Sequence, residues 1–207
     1  MIKDSRLNEK STNIVIMGLF YNVANKQLLK DRNEIFKGFG IPSLERNGYI
    51  LSPLKGSWHG EYNRVIKGYI YKFCRLTNEN HLEQVRVTIV SGDKYIEIHL
   101  NVFELSPKLT SITMLNKSDG MQFDLPPNRK TKMRLRADDY KGPPLFYMLF
   151  LPEHKIGRYY TRFGYEAEVK KLKKLIKSDM ENIDFFIKRW FEIYHNPVKT
   201  TWDGIPI

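Results

Sequence analysis

The chain has 207 residues, 42% of them hydrophobic and 13% aromatic, with 34 Lys and Arg against 23 Asp and Glu for a formal net charge of +11. That length suits one domain with its own core, and the apolar content excludes wholesale disorder. A single cysteine, Cys74, excludes an internal disulfide framework and a Cys-rich zinc module.

In chain order, residues 1–12 lack apolar periodicity and are expected to fray ahead of a single α+β domain over 13–207. The run 14–21 is β-branched and aromatic and reads as a buried strand, with a short helix as the alternative. Residues 25–38 place Leu28, Leu29, Ile35 and Phe36 near one face, which predicts a helix capped by Asn25 and ended by Gly38 or Gly40. Strands are expected at 48–51 and 64–76. Between 82–90 and 95–103 lies Ser91-Gly92-Asp93-Lys94, and Gly92-Asp93 fits a two-residue type II′ turn. That turn sets Val90 against Tyr95, Ile89 against Ile96, Val87 against Ile98 and Val85 against Leu100. Thr88 with Glu97, Arg86 with His99 and Gln84 with Asn101 then fall on the side opposite Val85 and Val87, so this hairpin has one aliphatic and one polar face.

Further strands are expected at 109–114, 130–136 and 145–151. From 166 to 195 the apolar period becomes three to four residues. This predicts one helix, or a pair meeting near the capping-box spacing Ser178-Asp-Met-Glu181, ended by Pro197. The implied fold is α+β: a mainly antiparallel meander covered on one face by an N-terminal helix and a C-terminal helix or helix pair. Burying Leu172, Phe186 and Trp190 there would contribute about 1.5–3 kcal/mol each before entropy. The longest uncharged apolar stretches, 13–24 and 142–152, fall short of the ~20 residues that cross a bilayer. The polar start lacks a signal-peptide pattern. A cytoplasmic protein without membrane association is expected.

Catalytic signatures are sparse. The chain has no Gly-rich phosphate loop, no Gly-x-Ser-x-Gly elbow and no His-Glu-x-x-His. Its five histidines never pair at metal-ligand spacing, so no metal or cofactor is expected. Cys74, among Tyr71, Phe73 and Leu76, reads as a small buried hydrophobe. The polar hairpin face holds the catalytic candidates Glu97, His99 and Arg86, since a carboxylate beside an imidazole can position a general base and Arg86 can hold an anion. Asp93 and Glu104 do not join Glu97 on that face, as a divalent-metal nuclease would require. The same residues also describe a solvated sheet face with cross-strand pairs.

Charge says more. In a strand, Lys130, Lys132, Arg134 and Arg136 recur on one face about every 6.6 Å, comparable with phosphate spacing, and Arg129 precedes them. The competing reading is an edge strand protected by charge. Lys170, Lys173, Lys174 and Lys177 follow one flank of the C-terminal helix, where lysines also simply solubilise. Arg158-Tyr159-Tyr160-Thr161-Arg162-Phe163 interleaves cations with rings, the combination single-stranded nucleic-acid binders use. The candidate polyanion-binding residues are therefore Arg129, Lys130, Lys132, Arg134, Arg136, Arg158, Tyr160, Arg162, Lys170, Lys174 and Lys177. The expected function is non-catalytic binding of nucleic acid or another polyanion through one basic surface formed after residue 128. Two other readings stand beside it: an antidote-type or scaffold component binding an acidic protein, and a hydrolase using Glu97 and His99.

Overall fold

The computed structural model describes residues 21–55, 59–78, 80–140, 142–143, 152–157 and 161–207. The expectations for 1–12, 14–20 and 145–151 lie outside the described residues. The centre is an antiparallel meander of β2 (Gly68–Thr77), β3 (His81–Val90) and β4 (Glu97–Leu105), with the two-residue β1 (Ile50–Leu51) on the outer edge of β2. Two short strands share the far side of β4. β5 (Met133–Arg134) pairs antiparallel beside His99 and Leu100, and β6 (Val198–Thr200) pairs parallel beside Phe103, Glu104 and Leu105. The fold is α+β with a mainly antiparallel sheet.

The β3–β4 register agrees with the alternation. Val85 faces Leu100 and Val87 faces Ile98, while Gln84 faces Asn101, Arg86 faces His99 and Thr88 faces Glu97. The ladder ends there, so the expected pairs Val90–Tyr95 and Ile89–Ile96 do not form. The cause is Arg32, fully buried, whose guanidinium donates to the carbonyls of Val90 (3.0 Å) and Tyr95 (2.6 Å) and holds the two chains apart. Asp93 N donates to Val90 O at 3.3 Å, which centres the turn on Ser91-Gly92, one residue earlier than expected. Gly92 still supplies the positive φ, 87°, now in the position a type II turn requires.

One sheet face is covered by helices. α1 (Asn25–Ile35) runs through a π turn (Phe36–Gly40) into α2 (Ile41–Arg46), so neither Gly38 nor Gly40 ends it. A Cβ at Gly40 would fall 2.4 Å from the Phe36 ring. Pro42 sits in the first turn of α2, where its missing N–H costs nothing. Ala24, not Asn25, occupies the N-cap of α1.

At the C-terminal end, α3 (Arg162–Glu181) and α4 (Ile183–Tyr194) break at Asn182, not Ser178. Asn182 Nδ2 donates to Ser178 O, and Asn47 Nδ2 donates to the carbonyls of Met180 and Glu181, which satisfies the end of α3 at that point. Leu172, Phe186 and Trp190 are buried against Val85, Val87 and Ile98 as expected, and Trp190 Nε1 donates to Thr131 O at 2.6 Å.

A second cluster of Leu54, Cys74, Leu82, Phe103, Leu105, Leu109, Leu115 and Phe123 closes part of the opposite face. Here the strand expected at 109–114 is corrected: Leu109 is buried, but Ile112–Lys117 is a 3₁₀ helix whose first turn Ser111 caps from its hydroxyl. The strand expected at 64–76 begins only at Gly68, because Asn63 Oδ1 accepts from the amides of Val65 and Ile66 and turns the chain. No helix among the described residues is long and apolar enough to cross a membrane.

Candidate functional site

On the face away from the helices, four basic residues stand in one transverse row. Lys72 on β2 faces Arg86 on β3, Arg86 faces His99 on β4, and His99 faces Arg134 on β5. Strands lie about 4.8 Å apart, so the row extends about 14 Å across the sheet. Like charges in directly opposed positions destabilise a sheet, and two devices relieve this row.

The first is Asp124, whose Oδ2 accepts from Lys72 Nζ at 2.6 Å and whose Oδ1 accepts from Arg86 Nη1 at 2.7 Å. Asp124 arrives at the end of a 3₁₀ turn (Gln122–Asp124) anchored by Phe123, which packs on the Phe103 ring with centroids 4.7 Å apart. Gly204, at φ 83°, lies so close that a Cβ there would fall 2.8 Å from Phe123. Burial alone would raise the Asp124 carboxyl, but Lys72 and Arg86 outweigh it and hold it below the ordinary value. The second device is a neutral His99. Burial first, and then Lys132, Arg134, Arg86 and Arg129, push its imidazole down to about 3.

The remaining cations arrive on a short 3₁₀ turn, Asn128–Thr131. Asn101, facing Gln84 on the same side of the sheet, donates from Nδ2 to Asn128 O and accepts at Oδ1 from Thr131 Oγ1. Asn128 Nδ2 donates in turn to Gln122 O and Gly204 O. This pinning corrects the expected strand over 130–136: only Met133 and Arg134 pair with β4, and Arg136 adopts φ 61°. Met133 and Leu135 do point into the core, but the four cations do not share one strand face.

Arg129 and Lys130 are exposed at the rim and Lys132 is half-buried beside the row. Burial first, and then Arg86, press the Lys132 ammonium down to about 8, with Arg129 adding to them and Asp124 opposing. Arg134 lies 4.8 Å above the Tyr95 ring and 3.7 Å from Glu97 Oε1. The Glu97 carboxylate therefore meets Arg134, and among the described residues no hydrogen bond joins it to His99.

The other candidates lie elsewhere. Arg136 turns to the helix side, where its guanidinium donates to both carboxylate oxygens of the buried Asp179, at 2.8 and 2.5 Å. Asp179 also bonds His154 Nε2 at 2.7 Å, so this knot ties the 152–157 segment to α3. Arg162 pairs with Glu166 at 2.7 Å and Lys177 with Glu181 at 3.9 Å. Lys170 and Lys174 are exposed on α3, which packs on α1, α2 and the π turn. The cations after residue 128 thus divide between the helix layer and the opposite sheet face. Arg158 and Tyr160 lie outside the described residues.

The sequence places Gln84 on this polar face beside Arg86 without marking it as a site residue, and it does not point to Lys72 or Asp124. Lys72 shares a strand face with Cys74, and pairing β2 to β3 puts it beside Arg86; Asp124 has no local signal. Among the described residues no three His, Cys, Asp or Glu side chains gather as metal ligands. No family model matches the chain, and neither a curated protein nor a solved structure matches it.

Proposed function

We propose that this chain binds nucleic acid without catalysing a reaction on it, through the basic row and its rim. Arg129, Lys130, Lys132 and Arg134 meet the phosphates, and Tyr95, half-exposed under Arg134, offers a ring on which a base can stack. The observation that carries the reading is the unbalanced charge of the row. Among the described residues, Lys72, Arg86, Lys132 and Arg134 face two carboxylates, Asp124 and Glu97, and Arg129 adds to the field felt by His99 and Lys132. A fold that holds cations against one another supports an anionic partner, whose arrival relieves the repulsion.

The test is fluorescence anisotropy of a labelled single-stranded oligonucleotide titrated with the full chain at several salt concentrations. Neutralising about 4 phosphates gives a log–log slope near −3. A flat salt dependence, or no binding at low salt, overturns the reading. Stable, nuclease-resistant co-purification with one acidic protein would replace it by the protein-interaction reading.

A further inference from the structure

At the middle of the row a small cavity of about 10 Å³ opens between Gln84, Arg86, His99, Asp124 and Lys132. Among the described residues, three side-chain nitrogens of this lining have no hydrogen-bonded oxygen or nitrogen: Gln84 Nε2, Arg86 Nε and His99 Nδ1, the Gln84 amide having beside it the Cys74 thiol, a weak acceptor. Buried polar groups are nearly always paired, so a cluster of three asks for a physical explanation. Gln84 is 4% exposed and lines the cavity with its neighbours. The amide and guanidinium nitrogens can only donate, and a neutral imidazole can donate from Nδ1. What completes them is an acceptor. The volume admits about one oxygen atom.

Charge narrows the class. The four cations Lys72, Arg86, Lys132 and Arg134 less the two carboxylates Asp124 and Glu97 leave two positive charges. A phosphomonoester above its second pKa of about 6 carries two negative ones. The walls say how it enters. Asp124 closes the β2–β3 side, bonded to Lys72 and Arg86, and Lys132 leads into β5 on the β4 side, so a diester would have to carry its chain out past both. An end group needs one way in.

Building on the nucleic-acid reading, we propose that this notch takes one oxygen of a phosphomonoester, held by Gln84, Arg86 and His99 and neutralised by Lys132. The strand end of a nucleic acid and a small free phosphate share that chemistry.

The experiment compares one oligonucleotide with a 5′-phosphate and with a 5′-hydroxyl, by anisotropy with the full chain at about pH 7.5, where the monoester is doubly charged. Inorganic phosphate serves as a third probe by thermal shift and competition. The 5′-phosphate is expected to tighten binding about tenfold, the effect of one or two charge-assisted hydrogen bonds. In Gln84→Leu, and independently in the charge-preserving Arg86→Lys, that ratio falls to about threefold or less. If inorganic phosphate stabilises the protein and competes while the two oligonucleotides bind alike, the monoester site stands and its source is a small phosphate. Equal oligonucleotide affinities with no response to inorganic phosphate overturn the notch but leave the nucleic-acid reading intact. Absence of binding to either oligonucleotide together with no response to phosphate removes both.

Discussion

Arg86 lies directly opposite His99 in the β3–β4 ladder, one held by Asp124 and the other kept neutral by burial and by the cations around it. The sheet thereby seats a basic row on a single face without four adjacent charges. Each half of that arrangement has a measurable consequence.

His99 is held near 3 against an ordinary value of 6.5. Between those limits the unfolded chain takes up a proton that the folded chain refuses, so stability is full above about pH 6.5 and falls as pH drops toward 3. Asp124 and Asp179, both held low, add to the loss at the acid end. Urea midpoints at about pH 7 and pH 5 should differ in the wild type and differ less in His99→Gln. The His99 imidazole resonance should stay unshifted through the same range; titration near 6.5 would contradict the neutral row.

Asp124 serves two cations at once. Asp124→Asn leaves Lys72 and Arg86 facing each other with no carboxylate between them, in positions where the side chains are 10% and 25% exposed. The expected loss is about 2–4 kcal/mol in urea unfolding. The same variant should bind a polyanion more tightly, since it removes a competing negative charge. Destabilisation with weakened binding would show that Asp124 organises the site instead of shielding it.

Arg32 joins three carbonyls, Leu28, Val90 and Tyr95, from a fully buried position. Replacing it with Met keeps the apolar stem and removes the donors. The expected loss is about 2–4 kcal/mol, with faster hydrogen exchange at the Ile96 and Ile156 amides, which bond across the same end of the sheet. A loss under about 0.5 kcal/mol would contradict the clamp.

The β3–β4 pairing was legible in the sequence because two independent constraints agreed. Gly92 placed the turn within one residue, and any slip by one would have sent Val85 and Val87 to the polar face. The amphipathic pattern of α3 and α4 was legible for the same reason. Only their junction escaped, because Asn47, more than a hundred residues away, supplies the donor that ends α3. The basic segment 130–136 shows the limit. Its alternation correctly separated Met133 and Leu135 from the cations, yet Asn101 and Asn128 pin its start as a turn and Asp179 draws Arg136 out of line. Those are long-range contacts with no local signature. The row itself needed the β2 and β5 registers, and a two-residue strand such as β5 carries too little pattern to be seen in advance.

The central claim is that the sheet face, and not the total charge, binds the polyanion. Two double variants of equal net charge test it most directly: Arg129→Glu with Lys132→Glu, and Lys170→Glu with Lys174→Glu, each titrated against the same oligonucleotide at one salt concentration. The sheet-face pair should lose about tenfold or more in affinity and the helix pair about threefold or less. Equal losses, or the larger loss from the α3 lysines, would contradict it.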